Sequence, residues 1–321
     1  APTTAVGPGE AIRIMTGAPI PDGADAVVMV ERTETVGDQV TVEAAKLGEH
    51  IRPAGGDVEP GTLVFTRGTL LTPAHLGVLA SLDVREVECH PRPRVCVVST
   101  GDELVATGRL EPGQIRDSNR PMLLALLEES GLDAVDGGIA GDDEAVITAA
   151  VERAADGCDA LLTSGAVSVG DYDFVKLVLE RVAKERGGVS LWAQVAIKPA
   201  KPLAFATLGS VPAVGLPGNP VSSRVSFELF ARPALRKLAG RTDVLPEPVT
   251  AIAAQALDRR SDAKLHLDRV RVWIEDGRYR CERAGFQASN VLSGMAAANG
   301  LALIPDGPGI EAGQEVKVLL L

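Results

Sequence analysis

From Pro93 to about Arg241, short apolar runs that stop at glycine turns alternate with helical stretches, and this alternation limits the fold more than any other feature of the sequence. Val95–Ser99 reads as a strand ending at Gly101. Asp117-Ser118-Asn119 then offers caps for a helix with Pro121 near its start, running Met122–Glu129 and stopping at Gly131. A short strand at Ala134-Val135 precedes a helix over Glu144–Ala155, and the strand Ala160–Thr163 precedes one over Phe174–Glu185. Strands around Val195–Ile197 and Ala213–Gly215 lead to a single helix from about Pro220 to Leu238. Such alternation predicts a doubly wound, mostly parallel sheet covered on both faces.

Different blocks flank this region. Residues 1–90 are punctuated by Gly and Pro, with short strand-like runs such as Ala26–Val30 and Gln39–Val42, and one helix signalled by Thr72 and Pro73 and running Ala74–Leu82. After the Leu245-Pro246-Glu247-Pro248 linker the chain is rich in short strands, and its Arg-rich stretch from Arg259 to Arg283 reads as a solvated β face. The expected fold is therefore an α/β multidomain chain: a mainly β region over 1–90, an α/β domain over 91–243, and a small β domain over 244–321. The length of 321 residues suits more than one domain.

Composition excludes several function classes. With 32 Lys+Arg against 43 Asp+Glu, a net charge of −11 argues against wrapping nucleic acid, which needs clustered cations. Cys89, Cys96, Cys158 and Cys281 form no C-x-x-C pair, so they are expected to be reduced thiols of a cytoplasmic protein rather than zinc ligands. The four histidines are scattered and receive no role. No apolar run has the length of a membrane helix, and the start has no signal-peptide pattern.

Ligands of doubly wound sheets sit beyond the carboxyl ends of the strands. Three loops expected there carry unusual residues: Ser99-Thr100-Gly101-Asp102-Glu103, Ser164 to Asp173, and Leu216 to Ser223, the last opening a helix whose first amides can hold an anion. In the second loop Gly165 and Gly170 have P-loop spacing, but Asp171 stands where that motif has lysine. Hydroxyls and amides followed by carboxylates suit an oxyanion together with a hard cation, for which magnesium is the natural choice. Lys198 and Lys201, separated by Pro199 and Ala200, can add positive charge. Each loop taken alone is more often a tight turn than a ligand site, and Asp142-Asp143 before a helix is by default a cap. Three such loops on one sheet edge favour a site without naming its substrate.

Taken in order, Arg13–Pro19, Ala24–Val28, Ser99–Leu104, Asp117–Asn119, Ser164–Gly170, Leu216–Ser222 and Gly285–Asn290 resemble the molybdopterin molybdenumtransferases, the family of MoeA and of the gephyrin E domain. The resemblance covers essentially the whole chain. It implies insertion of molybdate into adenylylated molybdopterin with magnesium, release of AMP, and a homodimer whose active cleft uses parts of both subunits. It implies no membrane and no nucleic acid, and it brings in the upstream molybdopterin adenylyltransferase as a possible partner. By the same resemblance Ser99, Glu103 and Asp173 match positions that handle molybdate or magnesium, with Glu103 and Asp173 as the metal carboxylates. Asp142, beside Asp143, matches a further family acid. Gly165, Ser168, Gly170, Lys198, Lys201, Pro217, Gly218, Asn219, Pro220 and Ser222 match the pterin and phosphate loops, and Thr100, Gly101, Asp102 and Ser164 lie in the same motifs. Thr16 and Asp57 match residues contributed from the flanking regions, across the dimer.

There are departures from the family pattern. Ala166 and Ala200 stand where glycine is usual, which a methyl group tolerates only if φ is negative. A family lysine shortly after the tryptophan appears as Ala193 or Gln194. Family members carry roughly a domain's worth of residues upstream, on the order of 80, and that segment with its Asp-Gly-Tyr-Ala motif is not in this sequence. The departures motivate a gephyrin-like scaffold as the alternative reading. A pterin adenylyltransferase is a further rival, though that activity sits on a lone α/β domain.

Overall fold

The computed structural model describes residues 4–165 and 174–321, and it divides after Arg67 into two compact units. Ala166, Ser168, Gly170 and Asp173 lie outside the described residues.

The first unit is held largely by single turn bonds. Val6 N–H donates to Asp22 at 2.8 Å and Val27 N–H to Glu49 at 2.9 Å. Its ladder is one hairpin, β1 (Thr33–Val36) with β2 (Gln39–Val42). Arg32 staples this region by pairing with Glu43 at 2.6 Å and Glu49 at 3.2 Å. The run Ala26–Val30 is not a strand. Apolar content favours a strand only where a neighbour completes the ladder, and here the backbone finds isolated partners instead.

The second unit opens with α1 (Pro73–Ser81), one residue from the expected bounds, whose capping Thr72 N–H donates to His75 Nδ1 at 3.2 Å. Then follow β3 (Arg94–Thr100), the two-residue strands β4 (Leu104–Val105) and β5 (Ile115–Arg116), α2 (Asn119–Glu129), β6 (Asp133–Ala140), α3 (Glu144–Gly157), β7 (Ala160–Ser164) and α4 (Phe174–Glu185). The chain continues through β8 (Ser190–Gln194), β9 (Ile197–Lys198), β10 (Pro202–Leu208) and β11 (Val211–Leu216). A six-stranded sheet forms in the order β6-β3-β7-β11-β10-β8. Its first four strands are mutually parallel, as the alternation predicts, and β10 and β8 add an antiparallel edge.

Helices cover both faces. On one, α3 and α4 bury Ile147, Val151, Val175, Val178, Leu179 and Val182 against Val98 and Leu161. The spacing 175, 178, 179, 182 is one stripe of a 3.6-residue helix. On the other, Leu123, Leu126 and Leu127 of α2 meet Val95, Val97, Leu162 and Phe227. The single helix expected from Pro220 is three pieces: α5 (Pro220–Ser226), a wide π turn at Phe227–Ala231, and α6 (Arg232–Leu238). Pro233 explains the break, because its ring would strike the carbonyl four residues back inside a regular helix, whereas it is tolerated in a first turn.

The remaining strands are β12 (Val249–Ala253), β13 (Leu257–Asp258), β14 (Leu265–Glu275), β15 (Arg278–Arg283), β16 (Gly300–Ile304), β17 (Gly309–Ile310) and β18 (Glu315–Leu320), with α7 (Leu292–Ala296) between β15 and β16. Strands β15, β12, β18, β16 and β14 pair in that order, and β14 also pairs with β15, which closes a barrel. Val270, Val272, Ala302, Ile304 and Val318 fill its core. The expected solvated face is therefore corrected. Arg269 is fully buried, and Asp268 and His266 are buried too. Closure turns Val270 and Val272 into the barrel, while on the opposite face Leu267 packs on the α/β layer and Arg269 donates to the Phe286 and Ala288 carbonyls of the loop that covers it.

Two further expectations are corrected around the lysines. The strand sought at Val195–Ile197 is two elements, β8 in the central sheet and β9 in parallel with β14 of the barrel, Lys198 registering with His266. Ala200 has φ +75, in the left-handed region, although a negative φ was expected. The Lys198–Pro199 peptide is cis. Ala200 packs with Ile197, Val221, Val225, Leu267 and Leu301 in a cluster that fastens barrel to α/β layer. Among the described residues no helix is long and apolar enough to cross a membrane.

Candidate active site

After β3 the chain crosses through α2 to β6 on one side, while β7 lies on the other side of β3. The crevice between the C-terminal ends of β3 and β7 is thus the switch point where doubly wound sheets bind ligands. Backbone crowding there is tight. Gly165 has φ +106, and a Cβ on it would collide with the carbonyl oxygen of Thr100. Gly101, at φ +143, lies under the Glu103 carboxylate, where a Cβ would also clash.

These strand ends form one wall of a cleft of about 1650 Å³, and the rim of the barrel forms the other. Thr100, Glu103, Ser164, Gly165, Lys198, Lys201, Pro217, Gly218, Asn219, Pro220 and Ser222 all line it, so the structure gathers the first and third loops, the described start of the second and the lysine segment into one site. Other candidates do not line the cleft. Ser99 is fully buried, and its hydroxyl donates to Asp117 Oδ1 at 3.0 Å. Asp102 and Asp142 face each other: Asp142 N–H donates to Asp102 Oδ1 at 2.9 Å, and Asp102 N–H to Asp142 Oδ2 at 3.4 Å. The cap of α3 is the neighbour Asp143, which accepts from Val146 N–H at 3.0 Å. Thr16 and Asp57 belong to the first unit.

The structure adds residues that sequence reasoning passed over. Asp117 and Asn119, read as helix caps, line the cleft and tie its loops together. The Gly285–Asn290 loop also lines it. Gln287 holds this loop in place, accepting from Arg269 N–H at 2.8 Å and donating back to Arg269 C=O at 3.1 Å. His266 sits in the barrel wall with Nε2 3.1 Å from Asp262.

Arginines neutralise three wall carboxylates: Arg120 meets Asp117 at 2.9 Å, Arg259 meets Asp262 at 2.7 Å, and Arg283 meets Asp268 at 2.8 Å. Burial alone would lift the Asp262 carboxyl, but the His266 hydrogen bond and the charges of His266, Lys264 and Arg259 outweigh it and hold it below the usual range. With those acids paired, Lys198 and Lys201 are placed to attract an anion, and Glu103 offers an exposed hard-oxygen ligand. Among the described residues no three His, Cys, Asp or Glu side chains gather. A lone exposed carboxylate such as Glu103 can serve a hard cation only where water and substrate oxygens complete the shell.

Comparison with known proteins agrees with this arrangement. Residues 1–82 match the MoeA N-terminal region (domain I and II), residues 96–237 the probable molybdopterin binding domain, and residues 253–321 the MoeA C-terminal region (domain IV). The molybdopterin molybdenumtransferase of Haemophilus influenzae is 40% identical over 315 residues, covering 96% of this chain and 76% of that protein. That of Bacillus subtilis is 34% identical over 327 residues, covering 98% and 74%. The crystal structure of the molybdopterin biosynthesis moeA protein from Pyrococcus horikoshii superposes with TM-score 0.78 at 29% identity, covering 99% of this chain and 77% of that one. With the cleft, the ordered domains and relatives at this identity in agreement, the chain belongs to the molybdopterin molybdenumtransferase family.

Proposed function

We propose that the chain inserts molybdenum into molybdopterin, the metal-transfer step of molybdenum cofactor synthesis, with adenylylated molybdopterin and molybdate as substrates and AMP as product. The observation that carries this reading is the convergence of the Thr100–Glu103, Ser164–Gly165 and Pro217–Ser222 loops with Lys198 and Lys201 on one cleft. Relatives named for a transferase activity favour this over a scaffold role.

In this reading Lys198 and Lys201 bind the phosphates of the substrate as fixed point charges, and the close-packed backbone at Gly165 and Gly218 lets a phosphate approach the chain. The hydroxyls of Thr100, Ser164 and Ser222 orient it by hydrogen bonding. Glu103 would hold magnesium, with Asp173, which lies outside the described residues, as the second carboxylate that the family resemblance implies. Bound there, the metal supplies Lewis-acid polarisation of the phosphoanhydride. Ser99 acts at one remove, fixing Asp117 in the wall. The reading includes a homodimer in which Thr16 and Asp57 complete the partner's cleft, and the domain division 1–90, 91–243 and 244–321.

The test is direct. Incubated with adenylylated molybdopterin, molybdate and magnesium, the protein releases AMP and yields cofactor that activates an apo-molybdoenzyme. Glu103→Gln raises the magnesium concentration needed for half-maximal release. If no AMP appears where a related enzyme releases it, the function is wrong.

A further inference from the structure

Asn119 is the first residue of α2, at the switch point between β3 and β7. Its Nδ2 donates twice, to Ser164 Oγ at 2.8 Å and to the Gly218 carbonyl at 2.7 Å. Ser164 ends β7, Gly218 follows β11, and these neighbouring strands pair up to Ser164 and Leu216. Two residues earlier, Asp117 receives the hydroxyl of Ser99 from the end of β3 and is gripped by Arg120 through Nε at 2.9 Å and its own N–H at 3.2 Å. Arg120 also pairs with Asp136 on β6. The segment 117–120 therefore laces together the carboxyl ends of three adjacent strands.

Asn119 is 8% exposed, and its Oδ1 has no hydrogen-bond partner among the described residues. The amide cannot turn over, because Oδ1 would then face the Gly218 carbonyl oxygen. A cap needs only an acceptor for a backbone N–H. This side chain instead acts as a donor between two loops, and its Oδ1 accepts no backbone N–H among the described residues.

We propose that Asn119 is a positioning residue for the substrate phosphate, which AMP also carries, setting the separation between the Ser164 hydroxyl and the Pro217–Gly218 turn. The proposal rests on the molybdenum-transfer reading. Asp has the same volume but presents a carboxylate to the Gly218 carbonyl, and Ala offers neither donor nor bulk. Residue 119 thus works through Ser164 and Gly218, and its loss appears in binding rather than in the chemical step.

The experiment measures AMP affinity by calorimetry, and KM and kcat for AMP release from adenylylated molybdopterin, in the full chain. Wild type is compared with Asn119→Ala, Asn119→Asp, Ser164→Ala and the Asn119→Ala/Ser164→Ala double variant. Asn119→Ala and Asn119→Asp are expected to weaken AMP binding and raise KM about tenfold, with kcat within about threefold, the size of one lost ordering contact. In the Asn119→Ala background, Ser164→Ala adds little, as coupled positions do. Asn119→Asp keeps the side-chain volume and decides the matter if Asn119→Ala does not fold. Wild-type affinity for AMP in Asn119→Asp, or fully multiplicative single effects, overturns the clamp. Wild-type protein that binds AMP but does not release it from the substrate overturns the function reading, while the affinities still judge Asn119. Wild-type protein that does not bind AMP overturns both.

Discussion

At Ala200 one dihedral angle contradicts the simplest expectation from sequence. The position between the two lysines was readable as a site where glycine is usual, yet the residue occupies the left-handed region and is buried. Such a φ costs an L-residue roughly 1–2 kcal/mol. The surroundings enforce it: Ile197 and Lys198 are pinned to Leu265 and His266, a pairing no local pattern reveals. Ala200→Gly removes that strain but exchanges it for about 0.8 kcal/mol of lost methyl burial and about 0.4–1 kcal/mol of extra unfolded-state freedom. The net change is expected to lie within about 1 kcal/mol of zero by urea denaturation. Ala200→Val adds β-branching at a positive φ inside a filled cluster, and is expected to lose at least about 2 kcal/mol in the same measurement. A valine variant as stable as wild type would refute the assigned backbone. The same contrast holds at residues 117 and 119, where the letters were visible as caps but their reach to β3, β7 and β11 depends on three-dimensional adjacency.

Among elements, the helix after Pro220 is the instructive one. Its span from Pro220 to Leu238 was legible, but Pro233 was passed over and the π turn before it follows from packing. That turn places Glu228 between Arg224, at 2.9 Å, and Arg232, at 2.7 Å, all three side chains mostly withdrawn from water. Burial holds the Arg224 guanidinium below its usual pKa, with Glu228 opposing the shift. Arg232 continues across to Ser130 Oγ at 2.7 Å and lies over the Phe227 ring, so the carboxylate anchors the C-terminal end of α2 to this helix. Glu228→Ala leaves two facing guanidiniums with little solvent, and is expected to cost about 3–5 kcal/mol, read as a lower urea midpoint at unchanged slope. A loss under about 1 kcal/mol would mean that the triad is effectively solvated. Helices α3 and α4 were readable to within two residues and strands β3 and β7 to within one, whereas β6, expected as Ala134-Val135, runs Asp133–Ala140. β10, opening with proline beside the lysine segment, was not legible.

For the whole molecule, stability should form a plateau in pH with two shoulders. The Arg241 hydrogen bond holds Asp243 below its ordinary 3.8, and the Ser261 hydroxyl and backbone N–H groups do the same for Asp306. Such carboxyls bind fewer protons folded than unfolded, so their contribution is present above 3.8 and is lost as pH falls through the lower folded values. Cys96 and Cys281 are pushed by burial from 9.0 up to about 11, so their contribution is present below 9.0 and is lost as pH rises through about 11. Thermal midpoints across this range should fall on both sides, and Cys281→Ser should flatten part of the alkaline shoulder. An alkaline limb identical in that variant would remove Cys281 as a cause. The α/β class and the gathering of loops at one sheet edge were legible. Barrel closure was not, because an alternating charged strand looks the same whether one face meets water or both faces are covered.

The loan of β9 to the barrel has a consequence for anyone who would cut this chain into parts. A barrel begun at the Pro246–Pro248 linker leaves Leu265 and His266 with a bare edge and Leu267, Leu301 and Leu319 without their cover from Ile197 and Val221. The α/β layer severed at the same place keeps its lysines but loses the strand that fixes their backbone. Neither half is a portable module, so transplanting this chemistry onto another scaffold requires moving the seam with it.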